Sequence, residues 1–449
     1  MAKRLWDKGQ EIDKLVHQFT VGSDPQVDLY LVKWDLIASA AHARVLRKLD
    51  ILSEDELTRL IGALKEILTS AEQGDFTIPE ELEDCHTAIE SLLTAKLGET
   101  GKKIHTGRSR NDQVLVALRL FLKSSVIGLM EQVLQLAGAL EKRIQKDGDL
   151  PLPGYTHFQP AMPSSVAMWL QSFHEWCLEL LRDGTLLIES IDSNPLGTAS
   201  GFGVPLELDR DLSTSLLNFK RVQRNPMYVQ SSRGRFELKV VRWCSDAASL
   251  VEKLACDLML FTTSEFGFCS LPEALTTGSS IMPQKRNPDV AELMRAGAAR
   301  IRSFETQVSG IIAKLPSSYH RDYQTTKEPL INTIEAMREI LSVAPRCIES
   351  VMFNKARLST AMTDDLYMTY LVYRQVREGK SFRDAYQQTA SEIKSGTTDV
   401  SKVKEDFNLI SSSLKKEFEA ALREKVELEN LCKKLYQEFS SIANRVGLS

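Results

Sequence analysis

The stretch VLVALRLFLKSSVIGLMEQVLQLAGAL, Val114 to Leu140, decides how the rest of the chain is read. It holds no proline, and its only charges are Arg119, Lys123 and Glu131. Those charges interrupt the run of about 18 apolar residues that a transmembrane helix requires, so a membrane span is not expected. A helix from about Asn111 to Lys146 would be about 50 Å long at 1.5 Å per residue. With so few charges it lacks the polar face of a surface helix and must be buried nearly all round. Residues 236–265, 287–314 and 326–350 are also rich in apolar residues. A bundle whose core extends into other subunits is therefore expected.

Proline placement segments the chain around this helix. No proline occurs between Pro79 and Pro151, Pro226 and Pro272, or Pro288 and Pro316, nor after Pro345. Proline costs about 3 kcal/mol inside a helix, so long helices are expected in these intervals. Leu250, Leu254, Leu258 and Phe261 form an apolar row at helical spacing in one of them. Alternating β-branched stretches are scarce, and no run of paired strands is expected. The class is mainly α. Three regions follow: a helical N-terminal domain over 1–107, a central long-helix bundle over 108–352, and shorter, more charged helices over 353–449.

Bulk composition narrows the function. Among 449 residues, 43% are apolar and 26% charged, with a formal charge of −4. Neither a general nucleic-acid binder nor a membrane-surface binder has this balance, so any cationic site is local. Seven scattered cysteines without a CxxC pair argue for a reducing compartment, and against a disulfide framework or a cysteine-based metal site. The segment MAKRLWDKGQEIDK has no apolar signal core, and a cytoplasmic location is expected. There is no P-loop, and GFG at 201–203 lacks the strand–turn–helix setting of a dinucleotide site. No two of the seven histidines stand four apart, as a helical zinc site requires. Neither a metal nor a nucleotide cofactor is expected.

Four polar segments stand out at the ends of the apolar runs. KIHTGRSRNDQ, 103–113, gathers Ser109, Arg110 and Asn111 where a long helix begins. Unpaired N–H groups and the helix dipole favour anions there, although a cap with solvated arginines uses the same residues. GYTHFQPAMP, 154–163, is a proline-bounded turn with Thr156, His157 and Gln159. A lone turn histidine is more often structural, and a chemical role needs a partner that sets its charge. TTGSSIMPQKRNPD, 276–289, packs Ser279, Ser280, Lys285 and Asn287 into a connector that could equally be a helix start. SSYHRDYQTTKEP, 317–329, adds Tyr319, Gln324 and Lys327. Four such turns are expected to meet at the ends of one bundle.

Together these segments resemble the argininosuccinate lyases, within the fumarase/aspartase superfamily that also contributed lens δ-crystallins. GSSIMPQKRNP, 278–288, is similar to the superfamily signature GSSxMPxKxNP. HTGRSRNDQ, EDCHTAIE (83–90) and YTHFQ resemble the argininosuccinate lyase branch in particular. The resemblance implies a largely helical, three-domain subunit that forms a homotetramer, with active sites shared between subunits. It implies reversible cleavage of argininosuccinate to arginine and fumarate, in arginine biosynthesis, without metal or nucleotide.

That chemistry suits the residues carried over. A very weak carbon acid must lose a proton beside a carboxylate, so fixed donors and cations have to stabilise the aci-carboxylate. The resemblance gives Lys285 and Asn287 this role. It makes Ser279 the catalytic serine, with neighbouring Ser280 as the fallback. It makes His157 the acid/base histidine, paired with Glu292; a carboxylate partner favours the imidazolium that protonates a leaving nitrogen. The assignment taken is Ser279 as base and His157–Glu292 as acid; the reverse is also defensible. Ser109, Arg110, Asn111, Thr156, Asn287, Tyr319, Gln324 and Lys327 match substrate-contacting positions. For His86 a place in the site and a structural role weigh equally.

Two departures bear on substrate. Where many members have LWGGRF and FNxSI, this chain has LWDKGQ and FTVGSD, which puts Gly22 near the substrate serine and Ser23 one place on. Where DRDF is common, SSRGRFE (231–237) places Gly234 at an expected arginine, flanked by Arg233 and Arg235. They motivate a second reading, a fumarate-releasing lyase with another leaving group. A third is a crystallin-like structural recruit.

Overall fold

The structure, a computed structural model, describes residues 13–401 and 403–448. The LWDKGQ departure, 5–10, lies outside the described residues. Val114–Leu140 sits within one helix, Arg110–Asp147. Ser109 starts it: its Oγ accepts the Asn111 N–H, and Asp112 Oδ1 accepts the Ser109 N–H at 2.9 Å. This reciprocal cap satisfies two backbone donors that the first turn leaves unpaired.

Four further helices complete the bundle: Val166–Ile191, Arg235–Phe261, Asp289–Ile312 and Lys327–Ser350. Their polar contacts set directions. Trp169 Nε1 donates to Asp257 at 2.8 Å and Trp243 Nε1 to the Leu180 carbonyl at 3.0 Å, so the second and third helices are antiparallel. Arg302 and Glu252 form a two-pronged ion pair at 2.6 and 2.8 Å between the third and fourth. Arg143 Nε reaches the Ile348 carbonyl at 3.0 Å, and Gln132 the Arg338 carbonyl at 3.2 Å, so the first and fifth run parallel. Pro345 lies inside the fifth helix, within the apolar run expected over 326–350.

The Arg110–Asp147 helix has the length and composition of a membrane span, but nearly all of its most apolar stretch is buried inside this one chain. Burial of this one helix needs no other subunit. The chain does it alone, because Phe407–Ser440 returns along the first two bundle helices. Lys425 pairs there with Glu141 at 3.1 Å, and Glu141 also bonds His174 Nε2 at 2.9 Å. Beyond that helix, the Val446 carbonyl accepts from Arg44 at 3.1 Å. At 34 residues, Phe407–Ser440 also departs from the shorter helices expected after 353. A smaller core of Leu366, Tyr367, Tyr370, Leu371, Val400 and Val403 precedes it.

The class is mainly α, as expected, with one sizeable exception. The proline-bounded turn at 154–163 belongs to a β-hairpin, β1 Pro151–Thr156 paired antiparallel with β2 Gln159–Ser165. Pro151, Pro153, Pro160 and Pro163 hide its strand pattern from a sequence reading, since proline is confined to edge strands and bulges.

Helix directions give the bundle two distinct ends. At the near end begin Arg110–Asp147, Arg235–Phe261 and Lys327–Ser350. At the far end lie the 151–165 hairpin and the 276–288 loop. The 24 residues of Asp289–Ile312 and 27 of Arg235–Phe261 set the ends about 36–40 Å apart at 1.5 Å per residue.

Candidate active site

At the near end a cavity of about 670 Å³ opens between the starts of three bundle helices and the segment 199–204. Ser109, Arg110, Asn111, Tyr319, Gln324 and Lys327 all line it. Lys327 is 2% exposed; its ammonium donates to Asp28 at 2.5 Å and pairs with Asp24 at 3.0 Å. Burial works against its charge, but Asp28 and Asp24 outweigh burial and raise its pKa. Lys327 is therefore a fixed cation.

The arginines of the 103–113 segment are not solvated. Arg108 is buried and donates to Ser39 at 2.9 Å. Arg110 pairs with Asp84 and, at 3.4 Å, with Glu83. Asp84 in turn caps the Cys85–Leu97 helix by accepting the Thr87 N–H at 2.8 Å. Ser109 and Arg110 are thus bonded to protein groups, whereas the half-buried Asn111 side chain has no hydrogen bond among the described residues. His86 unites both readings offered for it. It lines the cavity, it is buried, and its Nδ1 lies 3.1 Å from Asp35. Burial lowers its pKa, but Asp35, aided by Asp84 and Asp28, reverses this and raises it.

The choice left open between Arg233 and Arg235 has a geometric answer. Arg233 is 2% exposed, lines the cavity, and stacks 5.4 Å over the Tyr319 ring. Its Nε and Nη2 have no acceptor among the described residues. Arg235 is exposed and donates to the Tyr228 hydroxyl at 2.6 Å. Gly234 between them has φ +77°, and a Cβ there would meet Ile312 Cγ2 at 2.3 Å. An arginine at 234 would be doubly excluded, by backbone and by space. Gly22 and Ser23 do not line the cavity. Gly22 closes the Lys14–Val21 helix, and Ser23 donates to Glu328 at 2.8 Å.

The far end carries the other residues. His157 and Phe158 form the hairpin tip, with φ of +54° and +58°. Two-residue hairpins take such angles, but side chains other than glycine, asparagine and aspartate rarely do. Thr156 and His157 are exposed. In the loop, Thr277 and Asn287 exchange backbone bonds at 2.9 and 3.1 Å, closing a neck. The Asn287 amide donates to Thr277 Oγ1 at 3.5 Å and to the Gly278 carbonyl at 3.4 Å. Within the neck, Ser279 Oγ accepts the Met282 N–H at 3.2 Å and the Ile281 N–H at 3.4 Å. Two N–H groups on one hydroxyl oxygen favour its alkoxide. No such bonds reach Ser280 among the described residues. Lys285 and Glu292 are exposed, and the single chain forms no His157–Glu292 pair among the described residues.

Within one chain the four turns lie at the ends of the bundle without all meeting. The structure joins the 103–113 and 317–329 segments at the near end, and it leaves the 154–163 and 276–289 segments at the far end. Sequence reading missed Asp24, Asp28 and the segment 199–204. The available signals were the i, i+4 spacing of two aspartates and the glycines of GFG, set aside with the dinucleotide motif.

A family profile described as "Lyase" matches residues 7–303. Argininosuccinate lyase of Thermotoga neapolitana is 40% identical over 394 residues, covering 87% of this chain and 98% of that protein. Among solved structures, an EDDS lyase in complex with formate superposes with a TM-score of 0.80 at 21% identity, over 97% of this chain and 96% of the other. A class II fumarase from Schistosoma mansoni gives 0.72 at 16% identity, over 87% and 93%. The bundle is thus the helical fold that fumarases share, and the chain belongs to the argininosuccinate lyase family.

Proposed function

We infer that this protein is an argininosuccinate lyase that eliminates arginine from argininosuccinate, releasing fumarate, and works as a cytoplasmic homotetramer. The observation that carries the reading is the near-end cavity. Asn111, Tyr319, Gln324 and Lys327, drawn from two separate segments by resemblance, line it together with Arg233, whose Nε and Nη2 find no acceptor among the described residues. A substrate with three carboxylates needs fixed cations, and Lys327 and Arg233 supply them. Seven free cysteines accord with a reducing cytoplasm.

Chemistry needs the far-end groups of other copies beside this cavity. Ser279 Oγ, favoured as alkoxide, takes the proton from the succinyl carbon next to a carboxylate. The electron pair moves into that carboxylate, and Lys285 stabilises the resulting dianion. Asn287 assists on leaving its neck bonds. Collapse of the dianion forms the double bond of fumarate and breaks the carbon–nitrogen bond. His157, with Glu292 of another copy brought beside it, gives a proton to the departing guanidino nitrogen. Thr156 on the same hairpin contacts the carboxylate. The test is to supply argininosuccinate to the purified protein and follow fumarate absorbance. Release of fumarate from aspartate or malate in place of argininosuccinate sinks the reading.

A further inference from the structure

Asp28, Cys85 and His86 bring a carboxylate oxygen, a thiol sulfur and an imidazole nitrogen within 4.8 Å of one another, and all three residues are buried. Cys85 Sγ lies 3.7 Å from His86 Nδ1. Sulfur at about 2.3 Å and nitrogen at about 2.0–2.1 Å from one tetrahedral zinc stand about 3.6 Å apart. The free side chains therefore already hold that spacing. Behind them Asp35, 1% exposed, pairs with His86, its Oδ2 3.1 Å from Nδ1. Its buried carboxylate adds a second negative charge beside Asp28 at the cluster. Asp28 and His86 also line the near-end cavity, which gives an ion a way in. Absence of CxxC spacing excluded only local cysteine sites, whereas Cys85 and Asp28 stand 57 positions apart.

We propose that Asp28, Cys85 and His86 form a binding site for zinc, and that filling it switches the enzyme off by taking the carboxylate that holds Lys327. The switching half rests on the lyase reading above. Asp28 serves two neighbours: Oδ1 accepts the Lys327 ammonium at 2.5 Å, and Oδ2 accepts the Cys85 N–H at 3.3 Å. Zinc bonds to Sγ as the thiol gives its proton to water, to the Asp28 carboxylate, and to His86 Nδ1 as the proton that this nitrogen shares with Asp35 also leaves to water. No oxidation state changes. The ammonium of Lys327 then faces a dication where it had a counter-ion, and it leaves its place on the cavity wall.

Zinc chloride titrated into the full-length enzyme inhibits fumarate release, and EDTA restores it. Cys85→Ser keeps zinc-free turnover, because the thiol takes no part in the reaction. It raises the half-inhibiting zinc concentration at least about tenfold, the lower end of what loss of mere outer-shell partners costs a site. Cobalt(II) chloride reads binding without substrate. The native protein shows a thiolate-to-cobalt charge-transfer band, which Cys85→Ser and Cys85→Ala lack. This arm stands whichever substrate the enzyme takes. A missing band in the native protein overturns the site. Equal zinc sensitivity of native and Cys85→Ser enzyme, or a band with undiminished turnover, overturns the switch.

Discussion

Ser279 and Ser280 are neighbours with the same side chain, and their surroundings separate them. Two backbone N–H groups reach Ser279 Oγ, and none reaches Ser280 among the described residues. Ser279→Ala is expected to lower turnover about 10²–10⁴-fold, the usual worth of a positioned proton-transfer group, with the thermal midpoint unmoved. Ser280→Ala should keep most activity; a collapse of turnover in that variant instead would exchange the two assignments. His42 makes a second case of environment deciding chemistry. It is buried, its Nε2 bonds the Thr106 carbonyl at 2.8 Å, and its pKa is held well below 6.5, by burial first and by Arg108 next. Below about pH 6.5 the unfolded chain takes up a proton that the folded one refuses, so His42 makes stability fall as pH drops. Urea unfolding between pH 5 and 6.5 should show a slope up to about 1.4 kcal/mol per pH unit steeper in the native protein than in His42→Gln. Equal slopes would remove His42 from the acid response. Motif spacing could name Lys327, but not Asp24 and Asp28, which make it a fixed cation. Their partnership crosses about 300 positions, and no local pattern records it.

Local chemistry explains which elements a sequence reveals. Arg110–Asp147 was legible because an apolar run and a cap coincide, and Ser109 with Asp112 closes that cap. The hairpin was not, because its four prolines suppress every strand signal while leaving edge pairing possible. The apolar run over 326–350 was legible in spite of Pro345, which surrounding packing holds inside a helix that proline alone would end. Asp112 links element to site. Besides its cap bond it accepts the Gly197 N–H at 3.0 Å and the Ala199 N–H at 2.9 Å, which fixes the cavity-lining 199–204 segment. Asp112→Ala removes the cap and strands two N–H groups, at a cost of about 2–4 kcal/mol in denaturant unfolding. Ser109→Ala, which loses only cap bonds, should cost about 1 kcal/mol. KM should rise further in Asp112→Ala than in Ser109→Ala, which loses a cavity-lining hydroxyl but keeps the 199–204 segment held. If the two variants behave alike, the segment is not held by Asp112.

A molecule whose signature residues lie at both ends of helices about 36–40 Å long cannot place them around one small substrate by itself. No side chain spans that distance, and closing the 276–288 loop does not cover it. The apolar residues left exposed at the two ends fit this: Phe158 and Ile281 at the far end, and Phe202 beside the cavity. A second copy that lays its far end against the first copy's cavity would cover them and unite Ser279 with Lys327 and Arg233. Mixed oligomers can decide this. Ser279→Ala destroys the far-end half, and Arg233→Met the near-end half. Arg233 is the safer near-end target, because its Nε and Nη2 have no acceptor to strand among the described residues, whereas removing Lys327 would leave Asp24 and Asp28 buried without their cation. Each variant alone should be inactive. Co-expressed chains should regain fumarate release, because some sites then combine an intact far end from the Arg233→Met chain with an intact cavity from the Ser279→Ala chain. Those sites carry the native KM, since every group around the substrate is native. Were each site built within one chain, every site in the mixture would carry one lesion and no activity would return.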